Sequence, residues 1–197
     1  MSQDGKSSPL IQYALDAGAD RAAIVAAGDI VVDAVLAGKC REPGCPNYGS
    51  SKNCPPHVTG PAGLQALLKT FHQALVFRID VPTADLFSEK RIEVFQRLHK
   101  TAAAIEQEAH KTGFPRARAY AGGSCRELFC QDQPDCSALA ANGECRFPRQ
   151  ARPSMSGFGI DVARLFETAG WTLTVADPKA DAAEKKMANI CGLVLID

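Results

Sequence analysis

The sequence lacks a charge excess: 22 Lys and Arg offset 22 Asp and Glu over 197 residues. Nucleic acids and anionic membranes both select basic partners, so neither is expected here. No apolar run reaches the ~18 residues of a membrane-spanning helix. The opening residues MSQDGKSSPL hold no apolar stretch of the secretory kind, which predicts a cytoplasmic protein. No Ser-His-Asp arrangement stands in a recognisable context, which weighs against hydrolase chemistry. The Gly157-Phe-Gly159 turn matches no phosphate-loop pattern. There is no internal repeat, beyond the fact that each half of the chain carries a cysteine-rich stretch.

Cysteine, by contrast, is abundant, with eight residues. In a reducing compartment, thiols act as metal ligands or redox groups rather than disulfides. Their distribution favours metal over scattered core positions. Cys40, Cys45 and Cys54 lie close together, as do Cys125, Cys130, Cys136 and Cys145, and only Cys191 stands alone. Cys191 opens an apolar strand, where a small buried side chain is the better reading.

The remaining sequence reads as α/β (α+β) material in a single domain spanning 1–197: a small mixed sheet packed by helices. Ser8-Pro9 looks like an N-cap followed by Pro at the first helical position, with Gly18 as the stop. Residues 22–36 suit a strand or strand pair. Leu64, Leu67, Leu68 and Phe71 share one face of a helix over 61–71. Residues 74–79 read as a buried strand. A long helix is predicted over 85–111, its apolar stripe running from Ile92 to Ala109 and its other face charged and solvated. Short strands are expected at 116–121, 171–175 and 192–196, with a helix at 161–169 capped by Asp161. A turn or short helix over 177–188 would join the last two strands as an antiparallel pair.

Two stretches, about 38–60 and 122–157, have no periodicity. Loops of that length inside a compact domain are usually ordered by function. Their prolines and glycines, among them Pro43, Gly44, Pro46, Pro55 and Pro56, build neither helix nor inner strand. Bonds from cysteines to a metal centre would tie such loops down.

The spacings are Cys40-x4-Cys45-x8-Cys54 and Cys125-x4-Cys130-x5-Cys136-x8-Cys145. Structural zinc favours close C-x2-C pairs, often with His; no such pair occurs, and the only nearby histidine is His57. Iron–sulfur clusters take all-thiolate ligation from loops around a bulky centre, and a proline often follows the ligand run. Here Pro46 and Pro55 directly follow ligand candidates. The second group has enough thiols for one complete 4Fe-4S cluster, and the first is one short. Cys191, a non-protein ligand on an open iron, or a single cluster drawing on both groups would each settle that count.

The run Lys39-Cys-x4-Cys-Pro-x-Tyr48-Gly49-x4-Cys54-Pro-Pro, the second cysteine run, Arg152-Pro-Ser-Met155 and Gly159-Ile-Asp-Val162 together resemble a prokaryotic family of unknown function. That family is described as predicted metal-binding proteins with ferredoxin-like cysteine loops. The resemblance runs from about Ala22 to the end of the chain. It implies metal binding by Cys40, Cys45, Cys54, Cys125, Cys130, Cys136 and Cys145, and supplies no reaction.

Tyr48 and His57, flanked by first-group ligands, are candidate outer donors to that centre. Arg146 and Arg152, with Arg149, crowd the end of the second run and could offset its negative charge. His72 and His99 read as structural or solvated. The expectation is an iron–sulfur protein with one or two 4Fe-4S clusters in a redox, electron-transfer or accessory role. Its partner would be a redox protein or a small-molecule ligand. The alternatives are an enzyme whose three-cysteine cluster binds a small substrate or sulfur species at an open iron, and a structural zinc protein.

Overall fold

Two ten-residue, largely apolar strands dominate the fold because they pair along their whole length. The computed structural model describes residues 3–176 and 186–197. Its strands are β1 (Arg21–Ala26), β2 (Gln73–Pro82), β3 (Arg118–Tyr120) and β4 (Met187–Ile196). They form one sheet in the order β1-β2-β4-β3, each pair antiparallel. In the central pair, Gln73 lies opposite Ile196 and Pro82 opposite Met187. The helices are α1 (Gln3–Asp16), α2 (Ala34–Gly38), α3 (Gly60–Leu68), α4 (Thr83–Leu86), α5 (Arg91–Lys111), α6 (Cys125–Phe129) and α7 (Val162–Thr168). This is the α+β architecture expected from the sequence, a small sheet packed by helices, except that the sheet is wholly antiparallel rather than mixed.

Both faces of the sheet are covered, which is why β2 and β4 are apolar at most positions rather than at alternate ones. On one face Leu75, Phe77, Ile79, Ile190, Val194 and Ile196 pack against Leu10 and Ala14 of α1 and Leu98, Ala102, Ile105 and Ala109 of α5. On the other, Val76, Cys191, Leu193 and Leu195 meet Leu64 and Leu68 of α3, Leu165 and Phe166 of α7, and the turn Met155–Phe158. Each fully buried Leu, Ile or Phe contributes about 1.5–3 kcal/mol. Gly192 is required where it stands: a Cβ there would lie 2.4 Å from Cζ of Phe77.

Several local expectations change. α1 begins at Gln3 with Pro9 inside it rather than at its first turn. Proline costs one backbone bond there, and the buried residues that anchor the helix, Leu10 and Ala14, both follow it. The long helix is split into α4 and α5, with Ser88 Oγ donating to the Asp85 carbonyl at 3.2 Å in the break. Only the first half of 22–36 is a strand. A 3-10 turn at Ala27–Asp29 ends it, and Asp33 then caps α2 by accepting from the Val35 amide at 2.7 Å. Residues 171–175 form no ladder; a backbone bond from Asn189 N to the Thr174 carbonyl at 3.0 Å ties them to β4. Of the expected joining segment, 177–185 lies outside the described residues, and β4 already begins at Met187. Asp161 caps α7 as expected, accepting from the Arg164 amide at 3.1 Å.

Candidate metal centre

The first cysteine loop follows α2 as one wide π-type turn at Cys40–Gly44, irregular at Glu42, and then a series of tight turns. Cys45 N donates to the Cys40 carbonyl at 2.9 Å, Tyr48 N to the Cys45 carbonyl at 2.9 Å and His57 N to the Cys54 carbonyl at 3.0 Å. Each of these three turns begins at a cysteine, while two others begin at Asn47 and Ser51. The turn at 155–160 closes against this loop. Gly159 adopts φ +71°, and a Cβ on it would fall 2.2 Å from the Asp33 carbonyl oxygen.

The second loop leaves β3 through Gly122 and Gly123 and enters α6, whose first residue is Cys125. Cys130 ends that helix, and Leu139 N donates to the Cys136 carbonyl at 2.9 Å. Phe129 and Phe147 stack at 5.7 Å over the pocket that results. α6 escaped the sequence reading because five residues are too few to show a helical period.

The structure brings Cys125, Cys130, Cys136 and Cys145 to one small pocket. Ser51, Arg126, Phe129, Arg146 and Phe147 share its wall, and the lining contains no carboxylate and no imidazole. A water-sized body reaches only about 10 Å³ between these residues. Metal bonded to sulfur sits at ~2.3 Å rather than at contact distance, so the space open to water understates what the four thiols could enclose. Burial pushes the Cys130 thiol up, as does neighbouring Cys145, while Arg126 and Arg146 favour its thiolate. Arg126 was absent from the sequence reading. It lies one residue after a ligand candidate and on the wall of the same pocket, and that proximity was the available signal.

Cys40, Cys45 and Cys54 line a different and much larger cavity of about 690 Å³, together with Tyr48, Arg91 and Glu127. Cys54 is buried, Cys40 half-buried and Cys45 exposed. Burial pushes the Cys54 thiol up to about 11; the hydrogen bond with Ser124 works against that, and Cys125, Cys45 and Cys40 add to it. Burial and then Cys45 raise Cys40. Arg91 pairs with Glu127 in the cavity wall, and Asn47 Nδ2 donates to the other Glu127 oxygen at 3.0 Å. Neither Arg91 nor Glu127 could be assigned from spacing, because they come from α5 and α6.

The remaining candidates fall apart in space. Tyr48 faces the first cavity and Arg146 the second pocket. His57 accompanies Arg152 in a third depression with Lys52 and Arg118. Arg152 is buried and spends its guanidinium on Glu106, at 2.6 Å, and on the carbonyls of Pro148 and Ala151. Cys191 lies in the sheet core, where burial pushes its thiol up to about 12, and it lines neither cysteine pocket. Among the described residues, no three His, Cys, Asp or Glu side chains are grouped as the ligands of one metal ion.

The comparison with protein families gives a match over residues 23–196 to the family described as "Predicted metal-binding protein (DUF2284)". The chain belongs to this family. The match spans both cysteine loops and three of the four strands in full, so the family's metal-binding description applies to the segment that carries every cysteine. No curated protein and no solved structure matches the chain. Among the described residues no helix is long and apolar enough to cross a membrane.

Proposed function

We propose that this metal-binding protein is an iron–sulfur protein with a redox role, in which Cys125, Cys130, Cys136 and Cys145 hold one 4Fe-4S cluster. The observation that carries the reading is the four-thiol pocket, lined by no carboxylate or imidazole and flanked by Arg126 and Arg146. All-thiolate ligation with no close C-x2-C pair suits a cluster better than a single zinc ion. The arginines offset the negative charge that four thiolates and a cluster carry together. Such a cluster supplies reversible one-electron chemistry, and Phe129 and Phe147 limit water at the pocket.

Cys40, Cys45 and Cys54 are the candidate ligands of a second centre. Three thiolates leave one iron of a 4Fe-4S cluster without a protein sulfur, and this group opens onto a cavity of about 690 Å³. That cavity favours a second reading, in which the first centre binds a small substrate or a sulfur species and the protein is an enzyme. Tyr48 and the Arg91–Glu127 pair would then contact the ligand.

The deciding experiment is anaerobic purification followed by iron, zinc and acid-labile sulfide analysis. Iron and sulfide in equal amounts are expected, with about four of each per complete cluster. Stoichiometric zinc without sulfide would replace the cluster with a structural zinc site.

A further inference from the structure

Ser124 is the residue immediately before α6, the position at which a serine hydroxyl ordinarily caps the helix by accepting a backbone N–H. It makes no such bond. Its Oγ lies instead 3.4 Å from Sγ of Cys54, in the other cysteine loop. The converse contact is also present. Ser51 Oγ, three residues before Cys54, lies 3.1 Å from Sγ of Cys125, and Asn53 Nδ2 donates to the same sulfur at 3.4 Å. Ser51 is 1% exposed and Ser124 is 4% exposed, so both serines are buried. Each loop thus places a buried hydroxyl on the thiol of the opposite loop, and Ser124 gives up a helix cap to do so. The adjacent residues Ser124 and Cys125 face different pockets: Ser124 lines the large cavity with Cys54, and Cys125 the small pocket with Cys130, Cys136 and Cys145.

We propose that the two cysteine loops tune each other's metal centres, Ser124 setting the potential of the Cys40, Cys45, Cys54 centre and Ser51 with Asn53 that of the Cys125, Cys130, Cys136, Cys145 centre. This rests on the iron–sulfur reading given above. When the sulfurs are bound to metal they are acceptors only, and the hydroxyls and the amide are donors. A donor on a ligand sulfur stabilises the more negative, reduced state of a cluster and so raises its potential. Gain of one electron per centre from dithionite is the only redox step required. The arrangement makes each potential depend on the fold of the other loop, so that a disturbance of one centre is felt at the second.

The test is a dithionite titration of the whole protein, reconstituted anaerobically and followed by electron paramagnetic resonance. The two signals are assigned by their separate loss in Cys40→Ala and Cys136→Ala. Ser124→Ala is expected to move the Cys40 signal to more negative potential and leave the Cys136 signal in place, and Ser124→Thr, which keeps the hydroxyl, should restore it. Asn53→Ala is expected to lower the Cys136 signal alone; it spares the turn bond from Asn53 N to Ser51 Oγ. A shift of the Cys136 signal in Ser124→Ala, the pattern of a purely local effect, would overturn the proposal, as would no shift in either variant. A wild-type protein with no iron–sulfur signal would instead overturn the reading on which it rests.

Discussion

The backbone N–H of Arg152 donates to Nδ1 of buried His99 at 3.1 Å, and Nε2 of the same ring donates to the Gly122 carbonyl at 2.9 Å. One side chain on α5 thereby holds both ends of the second cysteine loop. The two bonds require the neutral ring with its proton on Nε2. The ring also packs edge-on against Phe129 at 5.8 Å, next to Cys130.

Acid should loosen this clasp. Burial lowers the His99 pKa from 6.5 to about 4, the Gly122 hydrogen bond opposing and the Arg152 charge assisting. Between those values the unfolded chain binds a proton that the folded chain does not, so stability falls as pH drops from about 6.5 towards 4. At ~1.36 kcal/mol per unit, the loss approaches about 3 kcal/mol. Urea midpoints measured across that range should show this slope, and His99→Gln should flatten it. An unchanged slope in the variant would assign the acid sensitivity to other groups.

Glu106 anchors the same region. Its Oε2 pairs with Arg152 at 2.6 Å and its Oε1 accepts from the Ala119 amide at 2.7 Å. Glu106→Ala leaves a buried guanidinium without its counter-charge, at a cost of about 3–5 kcal/mol. The double change Glu106→Leu with Arg152→Met should recover much of it. Chemical denaturation of the three proteins measures both values.

Gly192→Ala drives a methyl into the ring of Phe77, opposite it in the sheet. Overpacking of this kind costs about 1–3 kcal/mol. Phe77→Leu on the same background should relieve part of the loss, and thermal unfolding of the pair would show whether the contact behaves as described.

Cysteine replacement separates ligands from packing. Cys136→Ala is expected to abolish one cluster's worth of iron, whereas Cys191→Ala leaves iron and sulfide unchanged because its thiol faces the sheet core. Loss of a whole cluster from Cys191→Ala would make it the fourth ligand of the first group.

Much of the scaffold was legible in advance. The apolar runs at 74–79 and 192–196, the stripe from Ile92 to Ala109 and the Asp161 cap each state their element locally, through period, burial or side-chain chemistry. The misreadings share a cause. Pro9 looked like a helix start because the sequence does not reveal where a helix is anchored. The 171–175 run looked like a strand, but only one backbone bond to β4, at Thr174, forms within it. The split at Phe87–Lys90 is held by short-range contacts, the Ser88 hydroxyl on the Asp85 carbonyl and Lys90 paired with Asp85 among them.

The cysteine groups themselves were visible in one dimension, because ligands to one centre cluster along the chain and proline and glycine mark loops that no ladder can hold. Their division of labour was not. That Cys125 and its three partners enclose a small pocket, while Cys40, Cys45 and Cys54 border a large cavity, depends on where α5, α6 and the 155–160 turn pack. The same holds for His57 and Arg152, near the cysteines in sequence yet lining another depression, and for Ser51 and Ser124, whose partners lie 74 and 70 residues away. Residue type and spacing are local properties and determined that the chain reads as metal-binding, as its family does. Which hydroxyl meets which sulfur is a long-range contact, and only the packing of both loops against one helix and one sheet decides it.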